Sequence, residues 1–197
     1  FDHLPAVGIT YNFAYYQNLI EGFGFVKEAD ILSGYMVQSD ALPDKVFLAA
    51  DKIAEKGNLR VLKFKHKREL LSWIAKVDTV YREAFLENPN YFPTTAEEFE
   101  LMAKNIYQIA DPRLIKIIVH DDEIAGFLLA YPNINRALQK IGGRIFQFGW
   151  ITLLKDIRTT KRVDLNGLGL LPRFQGRGGN ILLYDEVERT LRAFGTD

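Results

Sequence analysis

The clearest period in the chain is helical. Leu70, Ile74, Val77, Tyr81 and Phe85 follow one another at steps of four, three, four and four, which puts them on one face of a helix. Asn88-Pro89 stops that run, and Thr94-Thr95-Ala96-Glu97 has the spacing of a capping box opening a second helix to about Gln108. Asp111-Pro112 ends it. Leu59 to Phe64, ahead of the pair, reads as a strand. Behind the pair, the apolar runs Leu114–Val119 and Ile124–Tyr131 flank the polar turn His120-Asp121-Asp122-Glu123, a β-hairpin pattern. Residues 133–158 read as two short helices around Gly142-Gly143. Val163 to Leu171 reads as a buried strand closed by Pro172, and a helix from about Gly178 to Phe194 buries Leu183, Val187, Leu191 and Phe194. Asp185, Glu186, Arg189 and Arg192 fall outside that stripe.

The first part of the chain has a different character. Tyr15–Gly22 predicts a short helix, Gly24-Phe25 breaks it, and Phe25–Val37 predicts a strand. Gln38–Asp44, with Pro43, reads as a linker, and a helix at about 45–56 places Val46, Ala49 and Ile53 on one face before Gly57. From Leu59 onwards the order is strand, two helices, hairpin, insertion, strand, glycine turn and helix, an α/β arrangement with a mixed sheet flanked by helices.

Composition narrows the chemistry. The 197 residues are enough for one good core, or one core with a small appendage. Acidic and basic side chains balance at 25 each, which argues against nucleic acid or an anionic membrane as partner. Cysteine is absent, so disulfides and thiol catalysis are excluded. Three dispersed histidines, His3, His66 and His120, offer no metal site. No apolar run approaches the ~20 residues of a bilayer span, and no signal peptide is visible, so a cytoplasmic location is expected.

The candidate chemistry lies in Leu170-Leu171-Pro172-Arg173-Phe174-Gln175-Gly176-Arg177-Gly178-Gly179-Asn180, a strand end, a turn and a helix start. A helix N-terminus offers free backbone N–H groups and the positive end of the helix dipole, and glycines let a phosphate approach. Arg173 and Arg177 add positive charge at the mouth. No Gly-Lys-Ser/Thr follows, so this is not a Walker loop, and Leu182 stands where a dinucleotide fingerprint needs its third glycine.

With Gln175 and Gly178 at its first and fourth positions, the run resembles the acyl-CoA signature Q/R-x-x-G-x-G/A of the GNAT superfamily of N-acetyltransferases, Asn180 replacing the usual Gly or Ala. The hairpin with Ile124-Ala125-Gly126-Phe127 resembles that family's second and third strands, and the helices at 68–108 its acceptor-side pair. The resemblance implies a GNAT-like fold binding acetyl-CoA or another acyl-CoA, which donates to a small-molecule or peptide amine. It implies pantetheine contacts at Leu168, Gly169 and Leu170, and pyrophosphate contacts across Arg173, Gln175, Gly176, Arg177, Gly178, Gly179 and Asn180. A carboxylate on the strand before the turn often serves as base in the family, which makes Asp164 a candidate beside its reading as a strand-edge Asp paired with Arg162 or Lys161.

Asn12 followed by Gly24-Phe25 resembles a late part of the same fold that here comes first. Residues 1–37 are therefore expected to be the end of a preceding GNAT-like domain, 38–58 a linker with a short helix, and 59–197 the beginning and middle of a second, incomplete one. This tandem wording resembles a bacterial group of large acetyltransferase-like proteins, and it leaves a homodimer or a neighbouring domain to complete the fold. The family's usual Tyr acid, four residues before Gly-Phe, is Ile20 here. Alternatives are a non-catalytic GNAT-like domain and an aminoacyl transferase of the peptidoglycan-bridging type, which the balanced charge disfavours. Lys155, Arg158, Lys161 and Arg162 read as a solvated face, Phe146, Phe148 and Trp150 as core, and His120 as exposed.

Overall fold

The stripe of the long helix, the hairpin and the last apolar strand meet in one sheet. In the computed structural model, residues 4–6, 8–9, 12–40, 42–88, 91–146 and 148–195 are described. The strands are β1 (Leu59–Leu62), β2 (Lys116–His120), β3 (Glu123–Pro132) and β4 (Val163–Leu170), in the order β1-β2-β3-β4. Every pairing is antiparallel, in a sheet expected to be mixed. The long excursions between β1 and β2 and between β3 and β4 bring the chain back in the opposite direction, so no parallel neighbour arises.

The helices are α1 (Tyr15–Gly22), α2 (Asp44–Glu55), α3 (Lys67–Phe85), α4 (Ala96–Ile109), α5 (Asn135–Lys140), α6 (Gly149–Thr159) and α7 (Gly179–Phe194). Phe127 on β3 points to the α3 face: Tyr81 stacks on it at 5.8 Å and Phe85 meets it edge-on at 6.2 Å. Its neighbour Gly126 faces the other way, where Leu170 and Gly179 bring β4 and α7 against Ile118. Fully buried Leu114, Ile117, Ile118, Phe127, Leu128, Leu171 and Leu183 fill the space on the two faces. The sheet is thus covered on both sides, and the α/β layering predicted from the pattern holds.

Two glycines let β4 approach closely. A Cβ at Gly126 would collide with the Gly169 carbonyl oxygen, and one at Gly169 would stand 3.0 Å from Ala84 Cβ and from the Phe127 ring.

α4 is capped by Thr95, whose hydroxyl accepts from Glu98 N–H at 3.2 Å, while the Glu98 carboxylate accepts from Thr95 N–H at 2.8 Å. The capping box sits one residue later than Thr94–Glu97, because both registers offer a Thr and a Glu. The Asn88-Pro89 stop lies partly outside the described residues. Asp185, expected on the solvated side of α7, is buried and held by Arg189 at 2.8 Å. Lys116 is also buried on β2: its Nζ donates to Thr190 Oγ1 at 2.8 Å and lies 4.0 Å from Glu186. Loss of hydration pulls the Lys116 pKa down, only partly opposed by Glu186.

The expected strand Phe25–Val37 does not form. The described residues there carry no regular structure, and Phe25, Val26, Ile31, Leu32, Tyr35, Met36 and Val37 are all exposed. A strand needs a partner ladder to satisfy its backbone, and β-prone side chains alone do not supply one. α1 buries none of its residues. Among the described residues, Asn135 Nδ2 donates to the Pro5 carbonyl, and within the segment Tyr35 Oη donates to the Leu4 carbonyl at 3.1 Å. Phe146, Phe148 and Trp150, read as core, are exposed at the start of α6.

Candidate functional site

β4 delivers the chain to the glycine turn. Leu170 pairs with Gly126, the Leu171 N–H donates to the Ala125 carbonyl at 2.9 Å, and Pro172–Phe174 then make a single 3₁₀ turn. Buried Phe174 anchors the turn against His120, whose ring stacks on it at 5.3 Å. His120 is therefore half-buried rather than exposed. Gln175 Nε2 donates back to the Leu170 carbonyl at 3.2 Å, so the side chain at the first position of the signature fastens the turn to the strand.

Gly176 and Gly178 both adopt left-handed backbone, with φ of +71° and +88°. Gly178 is the residue before α7, and no side chain caps that helix. The first intrahelical donor is Leu182, to the Gly178 carbonyl at 3.2 Å. The N–H groups of Gly179, Asn180 and Ile181 therefore emerge at the helix end without intrahelical acceptors, at the positive end of the dipole. A Cβ at Gly176 would meet nothing within 4 Å, so the turn's outer side is open; one at Gly178 would run into Ile53 Cδ1 on α2, with Cγ1 at 3.2 Å. Free N–H donors at the positive end of a helix dipole are the kind of arrangement that favours an anion.

The two arginines divide. Arg173 is engaged by Glu123 on β3 and by Glu83 on α3 at 3.4 Å; its hydrogen bond to Glu123, with Glu83 adding less, raises its pKa and turns its charge towards the sheet. Arg177 has no acidic partner among the described residues; its guanidinium lies 5.5 Å from the Phe174 ring. Of the two, Arg177 is the cation available to an anion at the turn.

Asp164 lies at the other end of β4, six residues or ~20 Å of strand from Leu170. Asn133 Nδ2 donates to both its carboxylate oxygens at 2.9 and 3.1 Å. Beside it, Asn166 Nδ2 donates to the Tyr131 hydroxyl at 2.8 Å, and Tyr131 is buried, which raises its pKa. Asn133, Asp164, Asn166 and Tyr131 thus form a polar cluster at the β3–β4 edge. Sequence reading found only Asp164; the signal for Asn166 was its position before a glycine inside a strand.

That glycine carries a bulge. Leu128 pairs with Leu168 but Ala130 with Leu165, so β4 has one residue more than β3 across this interval. Gly167 takes φ of +119° there. Leu168, Gly169 and Leu170 follow, and β4 is the edge strand of the described sheet, so their outer backbone faces no neighbouring strand. The structure brings Gln175 to Asn180 together with the end of β4, and sets Asp164 apart from them. Among the described residues there is no group of His, Asp or Glu able to hold a metal, and no helix long and apolar enough to cross a membrane.

No family model matches the chain. It is similar to Protein YghO of Escherichia coli, with 25% identity over 173 residues, 85% of this chain and 44% of that protein. It is also similar to a bacterial ceramide synthase of Caulobacter vibrioides, with 25% identity over 179 residues, 89% of this chain and 46% of that protein. The chain spans about half the length of these curated relatives. Among solved structures, an agmatine N-acetyltransferase mutant in its apo form aligns with a TM-score of 0.43 and 15% identity, over 71% of this chain and 72% of that one.

Proposed function

We propose that this chain carries the acyl-CoA-binding part of an N-acyltransferase, which moves an acyl group from a CoA thioester to an amine. The observation that carries this reading is the uncapped start of α7, set by left-handed Gly176 and Gly178 directly after an edge strand whose backbone is open. CoA offers a pyrophosphate for the helix end and amides for a strand edge, and the two features adjoin here in that order.

In this reading the N–H groups of Gly178, Gly179 and Asn180 bind the pyrophosphate, and Arg177 adds positive charge. Gln175 keeps the turn on the strand, and Arg173 ties it to α3 and β3. The backbone of Leu168, Gly169 and Leu170 binds the pantetheine amides. Bound acyl-CoA supplies the activated carbonyl, whose C–S bond breaks as the amine's C–N bond forms, and the thiol leaves as CoA. The polar cluster at the bulge lies farther along β4, where Asn166, Tyr131 and Asp164 orient the acceptor, and Asp164 is the candidate to take the proton the amine loses.

The relative named bacterial ceramide synthase supports amide formation, since a ceramide is an amide of a long-chain amino alcohol. The donor is acetyl-CoA or a longer acyl-CoA, and the acceptor a small molecule or peptide bearing an amine. We further propose a cytoplasmic enzyme that works beside a second GNAT-like unit, from the same protein or from another copy. The test is release of free CoA thiol from acetyl-CoA and from palmitoyl-CoA with a panel of amines. Acceptor-dependent release that falls in Gly178→Glu supports the reading; CoA binding without release from any thioester supports a non-catalytic domain instead.

A further inference from the structure

Between α3, α4 and the sheet lies an apolar pocket of about 70 Å³, half open to solvent. Trp73 and Val77 on α3, Met102 and Ala103 on α4, Ile117 on β2 and Leu129 on β3 are among its walls. No charged side chain lines it. A concave, wholly apolar surface gains by taking apolar atoms of a ligand out of water. The pocket is about half the ~150 Å³ that takes a benzene, so it suits the end of a slender chain. Met102, unbranched and flexible, can give way to lengthen it.

The cavity reaches the bulge of β4 through one residue. Leu129 stands between Phe127 and Tyr131 on the α3 face of β3, by the two-residue period of a strand. Gly167 faces it: a Cβ there would lie 3.9 Å from Leu129 Cδ1 and 4.0 Å from Phe127 Cε2. Bare backbone at Gly167, the polar pair Asn166–Tyr131 and the apolar wall of Leu129 therefore adjoin.

We infer that this cavity binds the far end of an alkyl chain whose polar head lies beside β4 at Asn166–Gly167, so that the transferase acts on a long-chain lipid substrate. The inference rests on the N-acyltransferase reading and names its substrate class. Chain and head meet the two kinds of surface that adjoin there: methylenes against Leu129 and the cavity, the amide-forming group against the polar cluster. Either the acyl donor or the amine acceptor can bring such a chain.

Trp73 in the wall makes the test direct. In a Trp150→Phe background, Trp73 emission is titrated with stearoyl-CoA brominated at mid-chain and, separately, with a long-chain amine brominated likewise, both below their micellar concentrations. Saturable quenching by at least one probe is expected, and unbrominated competitors should displace it better from octanoyl through myristoyl length. The acyl-CoA probe succeeding places the donor's chain in the cavity; the amine succeeding places the acceptor's. Ala103→Leu, which adds three carbons to the wall, should weaken quenching at least about tenfold while leaving the melting temperature unlowered; Ile106→Phe serves if that variant folds poorly. Absence of quenching by both probes, or quenching unchanged in the filled variants, overturns the inference. Free CoA separates the two readings: if it binds while no alkyl probe quenches, the transferase reading survives alone. If alkyl probes quench but CoA neither binds nor competes, the cavity assignment survives and the acyl-CoA reading falls.

Discussion

Replacing Gly178 by Ala tests the geometry of the glycine turn without any ligand. At φ +88° an L side chain costs about 1–2 kcal/mol relative to glycine. The new methyl would also press on Ile53 Cδ1, with Cγ1 at 3.2 Å, and moving that side chain off its rotamer adds about 0.5–1.5 kcal/mol. The expected loss is about 1.5–3.5 kcal/mol. Gly176→Ala has the same backbone problem at φ +71° but meets nothing within 4 Å, so it should lose only about 1–2 kcal/mol. Ile53→Val, which removes Cδ1, should cost about 0.5–1.5 kcal/mol alone and close to nothing beside Gly178→Ala. The cycle of wild type, both single variants and the double variant should then show a coupling of about 0.5–1.5 kcal/mol. Urea unfolding followed by tryptophan emission gives all four stabilities. Equal losses at Gly176 and Gly178, with no coupling to Ile53, would refute the packing of α2 on the turn.

Arg177→Ala should weaken CoA binding about tenfold in calorimetry, and Arg173→Ala should weaken it little, because Glu83 and Glu123 already engage Arg173. The pH dependence of stability should carry the mark of Lys116. Its folded pKa lies below the ordinary lysine value of 10.5, so the unfolded chain binds more protons in that window. Wild type should therefore gain stability relative to Lys116→Met as pH rises towards 10.5, and a flat difference between the two unfolding series would contradict the burial. Gly169→Ala should cost about 1–3 kcal/mol in urea unfolding, since its methyl would crowd Ala84 and Phe127 at 3.0 Å.

How much was legible beforehand followed from how local each signal was. The α3 stripe, the β2–β3 hairpin and the strand–turn–helix at residues 163–194 depend on neighbours in sequence, and they appear where the period put them. The strand at 25–37 depended on a partner far away, and without one those apolar residues stay exposed. Asp185 was misplaced because the α7 face it shares is closed by α2 and β1, through Asp51 and Arg189, which no period within α7 reveals. Phe146, Phe148 and Trp150 have the hydrophobicity of core residues, yet no described element packs over them and they stay exposed. In the site, glycines betrayed the turn because left-handed backbone demands them. The split between Arg173 and Arg177 was hidden, since Glu83 and Glu123 come from elements 90 and 50 residues away. The cavity, likewise, exists only where two helices and two strands meet.

The central claim is that the start of α7 binds the pyrophosphate of CoA. Amide ¹⁵N–¹H spectra of the labelled chain, recorded as CoA is added, read it residue by residue. The account predicts the largest saturable shifts at Gly176, Gly178, Gly179 and Asn180, smaller ones at Leu168–Leu170, and loss of both in Gly178→Glu. Shifts confined to other parts of the chain, or an unchanged response in Gly178→Glu, would contradict it.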